Sequence, residues 1–209
     1  MRKLLPAALA ALVAFGAADA RAIPVDVYRE CLGTSIEKAT PERGVTACTT
    51  ILTSRELHPE RVADFVEARA RYYRALGRYE NALADYDAAI KRQPRSADLY
   101  NERCWTRATW GRELFAALTD CDVALQLSPG DPAMLDSRAL VYFRRGDYAS
   151  ARTDLDAALA KAPKASSLYL RGLAKRKTGD TAGSDADIAA AKAIDPKIAD
   201  EYAKYGVMP

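Results

Sequence analysis

GDYASARTDLDAALAKAP, at Gly146–Pro163, is the stretch of the sequence that decides the fold. The same arrangement of an opening glycine, small residues at fixed spacings and a closing proline occurs at three other places. These copies are GRYENALADYDAAIKRQP at Gly77–Pro94, GRELFAALTDCDVALQLSP at Gly111–Pro129 and GDTAGSDADIAAAKAIDP at Gly179–Pro196. The closing prolines follow one another at intervals of 35, 34 and 33 residues. A repeat of this length indicates an array of one repeated structural unit.

Each unit is predicted to consist of two helices joined by a short turn. In the unit that holds the quoted stretch, the first helix is predicted over residues 132–145 and the second over residues 149–162. Gly146 ends the first helix and Pro163 stops the second, as these residue types commonly do. The apolar residues of the second helix fall three or four positions apart, which places them on one helix face. They are Ala151, Leu155, Ala158 and Leu159.

Small residues recur at two positions of every second helix and allow the paired helices to approach closely. The first position holds Ala82, Ala117, Ala151 and Ser184, and the second holds Ala89, Ala124, Ala158 and Ala191. Over residues 63–196 this pattern resembles the tetratricopeptide repeat family. Leu114 and Thr181 depart from it, because they stand where the other units have a tyrosine at the turn. The resemblance implies an all-α, right-handed superhelical solenoid of antiparallel helix pairs. It also implies a concave groove lined mainly by the first, or A, helices, and a binding scaffold without catalytic chemistry.

The domain organisation follows from the repeat. Four full units are predicted at 63–96, 97–131, 132–164 and 165–196. Residues 21–62 are predicted to form a degenerate hairpin with helices at Val25–Leu32 and Pro41–Leu52. Residues 197–209 are predicted to form a capping helix, since the end of a solenoid needs a polar outer face. An apolar stripe on that helix consists of Ile198, Ala199, Tyr202 and Tyr205.

The first twenty residues have the pattern of an export signal. Arg2 and Lys3 precede an apolar run over residues 4–15, and the small-residue sequence Ala18-Asp19-Ala20 follows. Cleavage is predicted after Ala20, with Ala22 as the alternative. An uncleaved membrane anchor is the competing interpretation, but about twelve apolar residues are fewer than the roughly twenty that span a bilayer. The expected location is the periplasm or the outside of the cell, without stable membrane insertion after cleavage.

The four cysteines form two pairs with the same separation of 17 residues. Within the repeat resemblance, Cys104 takes a small position of an A helix and Cys121 a facing core position of the second, or B, helix. Disulfides Cys104–Cys121 and Cys31–Cys48 are therefore predicted, and export makes them chemically reasonable. Four cysteines allow three pairings, and spacing alone does not select one. No C-x-x-C occurs and His58 is the only histidine, so no metal site and no cofactor is expected.

Charge is nearly balanced, with a net value of +3, and nucleic acid is not an expected partner. Arginine recurs at one place in four A helices, as Arg69, Arg103, Arg138 and Arg171. A matching acidic set in the B helices consists of Asp85, Asp87, Asp120, Asp122, Asp154, Asp156 and Asp187. Either the arginines form an anion-binding stripe, or they pair with these aspartates between stacked helices. The second interpretation is favoured because the two sets recur in step.

The family's concave positions supply the candidate partner-binding residues. These are Arg71, Arg74, Asn101, Trp105, Phe143, Arg144, Tyr169, Arg176 and Lys177. Arginine together with aromatic residues is typical of interface hot spots, so an extended peptide with acidic and apolar residues is a suitable ligand. Two alternatives remain open. These side chains could simply solvate the groove, or they could pack beneath a capping segment.

No pattern of nucleophile and base, phosphate-binding glycine loop or metalloprotease motif occurs in the sequence. The sequence therefore predicts a non-catalytic, exported scaffold that binds a segment of a partner protein of the cell envelope. The alternative is a binder of an anionic polysaccharide or cell-wall ligand. It would use a basic surface near the end of the array, made of Arg144, Arg171, Lys175, Arg176 and Lys177. Weak self-association through the convex face is a third hypothesis.

Overall fold

The computed structural model describes residues 23–34, 40–55 and 57–209, and in these ranges it contains eleven α-helices and no strand. The expected export signal at residues 1–20 lies outside the described residues. A short 3₁₀ turn at Pro59–Arg61 precedes the third helix. The helices are α1 (Val25–Leu32), α2 (Pro41–Leu52), α3 (Val62–Ala75), α4 (Tyr79–Arg92), α5 (Ala97–Trp110), α6 (Leu114–Leu127), α7 (Pro132–Arg144), α8 (Tyr148–Lys161), α9 (Ala165–Lys177), α10 (Thr181–Ile194) and α11 (Ile198–Lys204). No described helix has both the length and the apolar character needed to span a membrane.

Local sequence signals set the helix boundaries. The Asp131 carboxylate accepts hydrogen bonds from the backbone N–H groups of Ala133 and Met134, which caps the start of α7. The Asp147 carboxylate does the same for Ser150 at the start of α8. At the other end of a helix, Gly111 adopts a φ of 73° and closes α5 in the left-handed conformation that glycine tolerates best. The bounds of α7 and α8 agree with the predicted ones to within one residue at each end.

Helices pack in antiparallel pairs that stack in series. Each A helix packs along its own B helix in the pairs α3 with α4, α5 with α6, α7 with α8 and α9 with α10. Neighbouring A helices also touch, as α5 touches α7. The recurrent small residues lie at these contacts, and Ala82, Ala117 and Ala151 are completely buried. Close-packed interiors leave no space for larger side chains at such places, which explains why the small positions recur.

Both disulfides join the two helices of a single pair. Cys31 is bonded to Cys48, with their Cα atoms 4.8 Å apart, and this links α1 to α2. Cys104 is bonded to Cys121, with a Cα separation of 5.5 Å, and this links α5 to α6. The pairing is the one that the repeat positions predict. The N-terminal pair also docks on the array through Tyr72, whose hydroxyl donates to the backbone oxygen of Glu30 at 2.7 Å.

Three of the four recurrent arginines pair with aspartates of two successive B helices, whereas Arg69 pairs with Asp85 of its own unit and donates to the Thr49 hydroxyl of α2. Arg138 donates from Nε and Nη2 to both oxygens of Asp154 in its own unit, at 2.8 Å each. Its Nη1 donates to Asp122 of the preceding unit at 2.9 Å. These hydrogen bonds, that to Asp154 first, raise the pKa of Arg138 against the effect of burial. Arg103 bridges Asp87 and Asp120 in the same way, and Arg171 bridges Asp156 and Asp187. The arginines therefore tie stacked units together.

Candidate partner-binding surface

The last helix folds back across the A helices and contacts several of them. We call residues 198–209 the tail segment. The ring of Tyr202 lies 5.2 Å from that of Tyr169 in α9, measured between centroids. The ring of Tyr205 meets Trp105 of α5 edge-on at 6.0 Å. The backbone oxygen of Tyr205 also accepts a hydrogen bond from the guanidinium of Arg144 at the end of α7. We call the side of the A helices that carries these contacts the inner face.

The tail segment covers part of the predicted groove. Tyr169 and Tyr202 are each only 2% exposed to solvent. The Tyr202 hydroxyl donates to the backbone oxygen of Ser166 at 3.3 Å. Phe143 is 9% exposed and packs edge-on against Tyr148 of its own unit. With the tail segment in place, Tyr169 and Phe143 do not face a partner. Packing beneath a capping segment describes Tyr169 better than groove exposure does, and Phe143 is packed within its own unit.

Arg74 lies on the inner face but is already paired. Its Nη1 donates to Glu102 Oε2 at 2.5 Å, and the Tyr86 hydroxyl donates to the same oxygen at 3.2 Å. Burial alone would lower the pKa of Arg74, but the Glu102 carboxylate together with Tyr86 and Tyr205 outweighs this effect, and the pKa is raised. Burial also raises the pKa of the Tyr86 hydroxyl, and Glu102 adds to this effect. Arg74 therefore stays charged, with its charge balanced inside the fold.

Asn101 carries an unsatisfied polar atom on the inner face. Its Oδ1 is buried and accepts no hydrogen bond from any residue in the described part of the chain. The side chain lines a cavity of about 240 Å³ together with Trp105, Asp136 and Lys164. A buried carbonyl oxygen without a donor is costly, so it marks a place where an N–H group from a ligand or water would fit. A peptide backbone presents such groups at regular intervals.

Asp136 lies at the same cavity and is also nearly buried. The Ser167 hydroxyl donates to its Oδ1 at 2.7 Å. Burial raises the pKa of the Asp136 carboxyl, although the hydrogen bonds from Ser167 and Ser166 and the charge of Lys164 act in the opposite direction. The cavity therefore combines acceptors, donors and the indole of Trp105 on one wall, which suits a polar backbone flanked by apolar side chains.

A second and larger cavity, of about 540 Å³, opens between α3 and the tail segment. Arg71 at its edge is about half exposed and pairs with Glu67 one helical turn away, at 3.2 Å. Lys204 and Tyr205 supply the opposite wall. Sequence reasoning selected Arg71 but missed the contributions of Lys204 and Tyr205. The only available signal was the apolar stripe that includes Tyr205, which shows that the helix packs on something but not on what.

Most of the basic surface proposed near the end of the array is neutralised internally. Arg171 and Lys175 both contact the Asp187 carboxylate, at 2.7 and 2.8 Å. Arg176 pairs with Asp185. Arg144 lies apart from them, against the tail segment. Lys177 is exposed and has no ion pair within the described ranges. The five cations therefore do not form a continuous free surface.

The fold and the inner face together define a helical-repeat scaffold. The tetratricopeptide repeat family profile matches this sequence at residues 63–96 and again at residues 106–170. The chain is a tetratricopeptide repeat protein. No curated protein matches it in sequence.

Solved structures show the same architecture at low identity. A thermophilic tetratricopeptide repeat protein of Thermus thermophilus has a TM-score of 0.65 and 21% identity, over 87% of this chain and 93% of that chain. MamA of Desulfovibrio magneticus RS-1 has a TM-score of 0.64 and 12% identity, over 84% and 98%. A tetratricopeptide repeat protein of Parabacteroides merdae has a TM-score of 0.61 and 18% identity, over 87% and 74%. At these identities the likeness concerns the fold.

Proposed function

We propose that this protein is a non-catalytic, exported scaffold that binds an extended segment of a partner protein of the cell envelope on its inner face. The observation that carries the proposal is the unsatisfied Asn101 oxygen in an open cavity beside Trp105. Tetratricopeptide repeat proteins bind protein partners, and the family match supports the same role here. The amide oxygen would accept from a backbone N–H of the partner, and the indole would pack on a neighbouring side chain.

The binding segment would lie along the first half of the inner face, over α3 and α5. The tail segment meets both halves, but Tyr169 in α9 is almost fully buried, whereas Trp105 in α5, which Tyr205 meets edge-on, stays half-buried. Arg71 remains about half exposed beside the larger cavity. Of the nine candidate residues, Arg71, Asn101 and Trp105 would therefore contribute most to binding. Arg74 would contribute through the charge pair that it makes with Glu102.

Export is part of the proposal and rests on two features. The N-terminal sequence has the composition of a signal, and two disulfides link paired helices of the fold. Disulfides form and persist mainly in oxidising compartments such as the periplasm. A fusion of residues 1–30 to a reporter that is active only outside the cytoplasm tests this part separately. Activity would support export, and its absence would contradict it.

Capture of the partner by crosslinking in cells tests inner-face binding. The test variant carries Arg71→Glu and Asn101→Ala. The matched control carries Lys91→Glu and Gln126→Ala, which make the same chemical changes at exposed positions of the B helices α4 and α6. We expect the same partner with the parent protein and the control, and its loss from the test variant while helical content is unchanged. Equal recovery from all three proteins would show that the inner face is not the binding surface.

A further inference from the structure

We propose that the tail segment completes a pocket for a single oxyanionic group, a carboxylate or a phosphate. The pocket is the cavity of about 540 Å³ between α3 and the tail segment. This proposal goes beyond the proposed function because it assigns a ligand chemistry to a cavity that exists only when the tail segment is folded back. Its lining residues are Arg71, Arg74, Ala75, Gly77, Tyr79, Lys204 and Tyr205.

The lining has a one-sided charge. Arg71, Arg74 and Lys204 all line the cavity, and no acidic residue does. Arg71 and Arg74 each have one carboxylate partner outside the lining, Glu67 and Glu102. Lys204 has no ion pair within the described ranges. Two of the three positive charges are paired, so the lining keeps one uncompensated charge, and a group with one negative charge would balance it.

Arg144 adds a further uncompensated charge behind the pocket. Its Nη2 donates to the backbone oxygens of Tyr205 and Thr109, and no carboxylate of the described residues pairs with it. Its Nε is buried and has no hydrogen-bond partner there. Removal of the guanidinium from water lowers the pKa of Arg144, as expected for a charge without a nearby counterion. Because Arg144 contacts Tyr205, this charge lies directly behind the pocket wall.

The pocket also holds two phenol groups without partners. The hydroxyls of Tyr79 and Tyr205 donate to no group in the part of the chain that the structure describes. The Tyr79 ring is fixed by stacking on Trp110, with centroids 5.6 Å apart, and the Tyr205 ring by Trp105. Two fixed O–H donors with arginine and lysine around them are a suitable donor set for an oxyanion, because hydrogen bonds to a charged acceptor are stronger than those to a neutral one.

The pocket is larger than a single anion, so the anionic group could belong to a larger molecule. If the proposed function is correct, that group is an acidic side chain or terminal carboxylate of the partner segment, and this extension rests on the proposed function. The pocket itself does not, because it can be tested with small anions alone.

Titration of the ¹⁵N-labelled protein, followed by NMR, tests the pocket. Sodium acetate and sodium phosphate are added in separate experiments, with sodium chloride adjusted to keep the ionic strength constant. We expect saturable shifts of the amides of Gly77, Tyr79 and Tyr205, with a Kd on the order of millimolar for so small a ligand. Saturation by acetate indicates a carboxylate ligand and saturation by phosphate a phosphate ligand, and either supports the pocket.

Two variants of the pocket and one control variant are titrated in the same way. Lys204→Gln and the double variant Tyr79→Phe, Tyr205→Phe should each raise the Kd at least about tenfold, which corresponds to the loss of one charge-assisted hydrogen bond. Lys192→Gln makes the same charge change at an exposed lysine of the B helix α10 and should leave the Kd unchanged. Shifts that stay linear with both anions would overturn the pocket, and so would an equal effect of Lys192→Gln. Partner capture can succeed or fail independently of this result.

Discussion

At the scale of single residues, Arg138 shows how one side chain fixes the stacking of two units. It holds both oxygens of Asp154 in its own unit and one oxygen of Asp122 in the unit before. Together, these three hydrogen bonds require the planar, five-donor geometry of a guanidinium. The sequence predicted this pairing because the aspartates recur in step with the arginines. It could not show that each arginine bridges two units, since that depends on how the units stack.

Replacement of Arg138 should destabilise the array. Arg138→Ala leaves the nearly buried Asp154 carboxylate without its partner, so we expect the free energy of unfolding to fall by about 2 to 3 kcal/mol. Arg138→Lys should recover only part of this loss, because lysine cannot make the two parallel hydrogen bonds. Urea denaturation measures both changes. Lys177→Ala, at an exposed site, should change stability by less than about 0.5 kcal/mol. Equal losses at the two sites would contradict a structural role for the arginine.

The Asp136 carboxyl gives a pH-dependent prediction. It faces Ser167, Ser166, Lys164 and Tyr202, and burial raises its pKa in the folded state. A carboxyl whose folded pKa is raised lowers stability progressively as the pH rises from the unfolded pKa of about 3.9 to the folded pKa, and the full loss remains above it. Asp136→Asn keeps an acceptor for Ser167 and removes the charge.

We therefore expect Asp136→Asn to be more stable than the parent protein at pH 7, and the difference to shrink as the pH falls towards 4. Urea denaturation at a series of pH values measures it. A difference that is independent of pH, or a loss of stability at pH 7, would show that the ionised carboxylate is not the unfavourable state.

At the scale of helices, α1 and α2 were predicted from the repeated cysteine spacing, and their boundaries from local signals. Gly33 ends α1 in the left-handed conformation, and the Thr40 hydroxyl accepts from the Arg43 N–H at the start of α2. These interactions lie within a few residues of the boundary, so the sequence contains all the information needed. The disulfides were predictable for a related reason, since equivalent places in a repeat face each other in every unit.

The Cys104–Cys121 bond should make a measurable contribution to stability. The chain-entropy model assigns about 3 kcal/mol to a crosslink that closes a loop of this length. Cys104→Ala with Cys121→Leu introduces the residues that the next unit has at these places, Ala139 and Leu155. We expect the double variant to keep its helical content and to lose about 2 to 3 kcal/mol of its free energy of unfolding. Its urea midpoint should fall accordingly. An unchanged midpoint would mean that packing alone holds α5 on α6.

The position of α11 was beyond sequence reasoning. Its apolar stripe indicates that one face is covered, and a capping helix was the prediction. Which residues cover it depends on the curvature of the whole array, because Tyr202 meets α9 while Tyr205 meets α5. The predicted groove residue Tyr169 is buried against Tyr202 for this reason, whereas Phe143 packs against Tyr148 of its own unit. Projection of family positions onto one unit at a time contains no information about a segment that returns from the end of the chain.

At the scale of the whole molecule, the repeat pattern predicted the solenoid. The candidate site forms only when the units and the tail segment are packed together. Arg71 and Lys204 lie far apart in the sequence and line the same cavity. The Asn101 oxygen is likewise buried without a hydrogen-bond donor only once the neighbouring helices are packed around it. The sequence therefore predicted the class of protein well, but not which candidate residues share a cavity, because the cavities are assembled from several units and the tail segment.

Site-specific photocrosslinking in cells tests most directly whether the inner face receives the partner. A photoreactive phenylalanine derivative is placed at Arg71 or Asp98 on the A helices, and at the exposed Ala88 or Ala157 on the B helices. If the inner face binds the partner, we expect one protein to be crosslinked from the A-helix positions and not from the B-helix positions. Crosslinking of that partner from Ala88 or Ala157, with none from Arg71 or Asp98, would contradict it and place binding on the opposite side of the solenoid.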